Sequence, residues 1–152
     1  MKLPLTEIER KKLRKHKIKI AELPFVASDD LQVILQVSES RAKELIALAD
    51  FQRIPSVGIK FAEDLVFMGY HSIKELKGKN GALLREEFER KKNYRIDSCV
   101  EDQFRLAVYF AETNDYSKNW WDFTTERKKY RAEHGYPSDR PTINWYEVLQ
   151  ES

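Results

Sequence analysis

Apolar residues recur along this chain every three or four positions, with polar residues between them. That spacing is the signature of amphipathic helices. In "ASDDLQVILQV", Ser28 or Asp29 offers a cap, and Leu31, Ile34 and Leu35 follow at helical intervals. "SRAKELIALADF" continues with Ala42, Leu45, Ile46, Leu48 and Ala49. "IKFAEDLVFMGY" places Phe61, Leu65 and Met68 on one face, with Gly69 as a C-terminal stop. Thr6 with Glu9 and Ser72 with Glu75 read as capping boxes. The first opens a helix from Leu5 to about Lys17, and the second a short helix ended by Gly78. "GALLREEFERKK" and "SCVEDQFRLAVYFAET" are further helices, the latter striped by Val100, Phe104, Ala107, Val108 and Ala111. "TTERKKYRAEHG" stops at Gly135, "YPSDRP" is loop, and "NWYEVLQ" is a last helix capped by Asn144. "IKI" (Ile18–Ile20) has β character without an obvious partner strand. The expected fold class is all-α.

The pattern also repeats. Shifted by 20 residues, Ile34–Leu45 lies on Ile54–Leu65: Ile34 meets Ile54, Val37 meets Val57, Ser38 meets Gly58, Ala42 meets Ala62 and Leu45 meets Leu65. Each copy reads helix, tight connection, helix. In the second, Pro55 cannot extend a helix and restricts Ile54 before it. Gly58 is expected to supply a backbone shape free of side-chain hindrance as the next helix begins. Amides at such a helix start attract phosphate. Two hairpins over residues 31–69 thus share one helix.

Charge adds a second candidate. The net charge is +2, yet residues 1–20 hold eight Lys or Arg against Glu7 and Glu9, leaving the remainder at −4. Residues 1–20 therefore read as a basic helix or arm suited to phosphate. Residues 21–152 read as a single helical domain, with 70–152 a helical extension carrying a Trp-rich tail. Lys11, Lys12, Arg14 and Lys15 of the arm are secondary candidates for DNA contact, with Ser38, Ser40 and Arg41 of the first hairpin. The longest apolar runs are four or five residues, too short for a bilayer, and no secretory pattern opens the chain. One cysteine, Cys99, excludes an intramolecular disulfide and a cysteine-cluster metal site, and a cytoplasmic address follows.

Catalytic patterns are absent. His16, His71 and His134 lack metal-ligand spacing, and Cys99 on a helical stripe reads as a small core residue. The pairs Glu63–Asp64, Glu86–Glu87 and Glu101–Asp102 read as solvated faces or ion pairs, with Glu101 and Arg105 at the favourable four-residue spacing. No enzyme, cofactor or metal is expected. Trp120, Trp121 and Phe123 stand beside "ERKKYR", where they would stack unpaired bases, pin a helix to the core, or form a protein interface at Trp120 and Trp121.

"PSVGIKFAEDL" resembles the helix-hairpin-helix motif at Val57, Gly58, Ala62 and Leu65, with Ser56 in place of the usual first glycine. The first copy has Gln36 and Ser38 where both glycines would stand. Roughly from Leu31 to Pro141, the chain resembles a small bacterial helix-hairpin-helix family of "pathogenicity locus" proteins. "RIPSVGIKFAEDLVFMGY", "LKGKNG", "DSCVEDQFRLAVYFA" and "WWDFTTERKKYRAEHGYPSDRP" carry that likeness. The resemblance implies sequence-independent DNA binding, on duplex or single strand, through backbone amides. Ser56, Val57, Gly58, Ile59 and Lys60 would contact or flank a phosphate. The expected function is a DNA-binding accessory protein. The alternative is a protein-interaction module whose hairpins are structural.

Overall fold

A computed structural model describes residues 1–151, with side chains through Val148. Its architecture is all-α; among the described residues the only β-type pairing is one isolated bridge between Arg95 and Asn144. The chain divides into two compact units, Met1–Glu75 and Leu76–Ser152. The division does not fall after residue 20, where the charge pattern drew a boundary, because the basic segment packs into the first unit.

In the first unit, α1 (Glu7–Lys15) begins at Thr6, whose hydroxyl accepts from Glu9 N while the Glu9 carboxylate accepts from Thr6 N. Leu3 and Leu13 are buried, so this segment is anchored by apolar contacts despite its charge. Residues Ile20–Phe25 form a 3-10 turn that buries Leu23, not a strand. Helices α2 (Ser28–Leu35), α3 (Glu39–Phe51) and α4 (Ile59–Phe67) follow. Helix α3 is central: Ala42, Leu45, Ala47, Leu48, Ala49 and Phe51 are all buried, and α2, α4 and the 3-10 turn pack on it. A helix apolar nearly all round is one that neighbours enclose. Past α4, Gly69 takes φ +99°, and Tyr70 N donates to Leu65 O as the helix closes. Ser72 N and His71 N both donate to Glu75, although the segment they open is a 3-10 turn, Ile73–Leu76.

The second unit contains α5 (Gly81–Lys92), α6 (Ser98–Thr113), a 3-10 turn at Trp120–Phe123, α7 (Thr124–His134) and α8 (Trp145–Glu151). Asn80 caps α5 and Asp97 caps α6, while Asn93 and Asn114 end those helices in the left-handed conformation. Helices α5 and α6 approach so closely at Gly81 that an added Cβ would stand 2.6–2.9 Å from Arg105 Cγ, Cα and N.

The interior of this unit is strongly ionic. Glu101, fully buried, receives Arg85 at 3.0 Å, Arg131 at 2.9 Å and its own-helix neighbour Arg105 at 3.0 Å. Asp102, equally buried, receives Arg127 at 2.7 Å and the Thr124 hydroxyl at 2.8 Å, which seats α7 against α6. Glu89 receives Arg140, Arg85 and the amide of Ile96. The Tyr136 ring lies 3.8, 4.4 and 5.0 Å from the guanidinium carbons of Arg140, Arg131 and Arg85. The Glu101–Arg105 pair matches its spacing, but neither Glu101 nor Asp102 is a solvated face. Cys99 is exposed rather than core, and partial desolvation followed by the hydrogen bond to Asp97 pushes the thiol above its ordinary range. It is therefore not an activated nucleophile.

Candidate nucleic-acid interface

The two turns flanking α3 repeat one backbone pattern. Gln36 and Ser56 both adopt the left-handed conformation, at φ +55° and +60°. Val37 and Val57 are half-buried behind them. Ser38 and Gly58 then take extended N-cap geometry, with ψ 160° and −163°. Ten residues, 36–45 and 56–65, thus carry matched conformations, and Ala42, Ala62, Leu45 and Leu65 are all fully buried. The copies differ at their entry. Helix α2 continues to Leu35, whereas α3 stops at Phe51, because Pro55 stands at the equivalent position and lacks an amide hydrogen. Two tight bonds, Arg53 N to Asp50 O and Ile54 N to Phe51 O, bridge the gap.

Gly58 does not supply the unusual backbone shape expected of it. Its φ of −118° is open to any residue, and an added Cβ would meet nothing within 4 Å. The left-handed residue is Ser56, two positions earlier. Neither backbone nor packing requires a glycine at 58, so its bare backbone is presented outward.

The first turn is occupied by its own chain. The Ser38 hydroxyl accepts from Arg41 N at 3.1 Å, capping α3. Lys12 donates to Leu35 O at 3.0 Å and to the Gln36 side chain at 2.9 Å. Arg41 is spent on Glu9 (3.0 and 3.1 Å), Glu44 (3.2 Å) and Pro4 O (2.6 Å). The Arg41 hydrogen bond holds the Glu9 carboxyl below the usual carboxylate range, and the guanidinium is raised in return. Ser40, Lys11, Arg14 and Lys15 are exposed, with Arg14 3.4 Å from Glu7. Of the secondary candidates, Lys12 and Arg41 thus serve internal bonds.

The second turn is open. No side chain caps α4, whereas Ser38 caps α3 in the first copy. Val57, Gly58, Ile59 and Lys60 line a groove of about 430 Å³, completed by Met1, Lys2 and Gln52. The Gln52 carboxamide holds Lys2 through both its backbone groups, accepting from N at 3.0 Å and donating to O at 2.6 Å. Lys2 was not legible as a site residue, since 50 positions separate it from its anchor. Lys60 is exposed at the groove's rim.

Trp120 is half-buried and Trp121 exposed, their rings edge-on with centroids 5.4 Å apart; Phe123 packs on Tyr109. Among the described residues no group of His, Cys, Asp and Glu side chains is arranged to hold a metal ion, and no helix is long and apolar enough to cross a membrane.

Among known proteins, residues 44–129 match the model of a family described as Pathogenicity locus. The match takes in the open turn and leaves out the closed one. No curated protein and no solved structure matches.

Proposed function

The chain belongs to the Pathogenicity locus family, and for this member we propose a non-sequence-specific DNA-binding accessory role, exercised by the turn at residues 56–60. On this reading the hairpins of residues 31–69 are helix-hairpin-helix motifs, of which the second grips a phosphate and the first is scaffolding. One observation carries the reading: the two copies share a backbone but differ in occupancy. The first turn satisfies itself with Ser38 and Lys12, while the second leaves uncapped amides, a bare Gly58 and Lys60 around an open groove.

A phosphate suits that arrangement because amide donors and the positive helix end act on the same oxygen, and none of them reads a base. Lys60 adds a point charge. Affinity should accordingly fall with salt and vary little with sequence.

The test is Lys60→Glu, titrated by anisotropy against labelled duplex and single-stranded DNA at two salt concentrations. Lys60 is exposed in the first turn of α4, where a carboxylate suits the helix dipole, so folding should hold. Binding to all sequences should weaken alike, by about 1 kcal/mol or more, with a shallower salt slope. A folded variant that binds with undiminished affinity removes this turn as the grip.

A further inference from the structure

The loop joining α6 to α7 displays aromatic rings on a braced support. Asp115 accepts from the Tyr109 hydroxyl and from Ser117 N, and Asn119 with Asp122 forms a capping box. Phe123 packs on Tyr109 at 5.5 Å and Tyr116 meets Phe110 edge-on at 4.8 Å. On this frame Trp121 remains 55% exposed and Tyr116 59%. Rings carried on a braced loop lose less freedom when a partner covers them than rings on a loose segment.

The charge beside those rings selects the partner. The 3-10 turn runs directly into α7, which directs Thr124, Arg127 and Arg131 inward to Asp102 and Glu101. Along α7 the exposed positions Thr125, Lys128 and Ala132 fall on one stripe, which starts four residues after Trp121. Asp122 accepts from Asn119 N and Glu126 leans toward Arg105 at 3.9 Å, while exposed Glu133 stands one turn beyond Lys129. Lys128 and Lys129 are exposed, and no ion pair holds them among the described residues. Exposed ring faces followed by unneutralised lysines match a flexible anion with flat, unpaired bases. A protein hot spot would instead surround its tryptophan with apolar contacts that exclude water.

We propose that this face of the second unit binds single-stranded nucleic acid, one base stacking on Trp121 and adjacent phosphates meeting Lys128 and Lys129. The site is separate from the phosphate grip at residues 56–60 and stands without it.

The experiment uses the full chain, following tryptophan fluorescence on titration with oligo-dT and with oligo-rU of equal length. Quenching by either is expected; a difference between them tells whether the sugar hydroxyl is read. Trp121→Ala should weaken binding at least five-fold, the lower end of what one stacked base contributes, and Trp121→Phe should recover most of that loss. Trp121 is largely exposed, so unchanged circular dichroism is expected in both variants. The double variant Lys128→Ala, Lys129→Ala should lower the slope of log K against log salt by about 1.4 for a single strand. Lys60→Glu should leave the quench intact even where duplex binding is lost. The proposal is overturned if neither oligomer quenches, if Trp121→Ala binds as tightly as the parent, or if that substitution instead dissolves a dimer seen by light scattering.

Discussion

Replacing Gly58 with alanine separates the fold of the open turn from its use. The φ of −118° suits alanine, and the new methyl group would find empty space within 4 Å. Two small effects on stability oppose each other. Alanine is a poorer N-cap than glycine, by about 0.5–1 kcal/mol, while its stiffer unfolded chain restores about 0.4–1 kcal/mol. The sum should lie within about 0.5 kcal/mol of zero, and the melting temperature should barely move. DNA binding should not be spared. Gly58 lines the groove, so on the proposed phosphate reading its new methyl group would crowd the approach to the start of α4. Losing one hydrogen bond to a charged oxygen costs about 1.5–3 kcal/mol, or roughly 10- to 150-fold in Kd. Thermal melting and anisotropy on the same preparation read both quantities. An unchanged Kd would mean that no phosphate docks at these amides. A loss of more than about 2 kcal/mol in stability would mean that the turn is not as open as its backbone indicates.

Two further outcomes concern the second unit. Gly81→Ala should destabilise by about 1–2 kcal/mol, the cost of overpacking less the helix gain, because the new carbon would meet the backbone of Arg105 and not merely its side chain; a urea midpoint at the parental value would refute the close approach of α5 and α6. For Glu89, burial acts to raise the carboxyl, but hydrogen bonds from Arg140 and Ile96 outweigh it and hold the group below 4.5. The stability this supplies is complete above that value and is lost as pH falls through the lower folded-state value. Glu89→Gln should therefore cost about 3 kcal/mol near neutrality, with the gap narrowing in acid; parallel stability–pH curves for parent and variant would contradict it.

Helix positions were legible because periodicity and punctuation agree. Thr6 with Glu9, Gly69 and Gly135 stand at real helix ends. The 20-residue repeat was legible too, since Val, small residue and Leu recur where the packing needs them. What escaped were features that depend on partners distant in sequence. Glu101 reads as a solvated face or a partner of Arg105, and nothing local marks Arg85 or Arg131 as the residues that α5 and α7 bring to it in the interior. Cys99 was placed in the core because it adjoins an apolar stripe, yet burial in α6 centres on Glu101, Phe104, Ala107 and Phe110 and turns Cys99 outward. Gly58 misled for another reason. A glycine suggests a backbone constraint, and composition does not reveal that the constrained residue is Ser56.

Of two turns alike in backbone, the basic N-terminal helix rests on one, through Lys12, Glu9 and Arg41. That loop now answers to its own chain. A change at residue 36 or 41 is a change in an internal joint with residues 12 and 9. Among the described residues, no side chain caps the helix that follows residues 57–58 in the second turn. One chain thus holds two turns of the same backbone, one fastened by a cap and by the N-terminal helix and the other left without a side-chain cap.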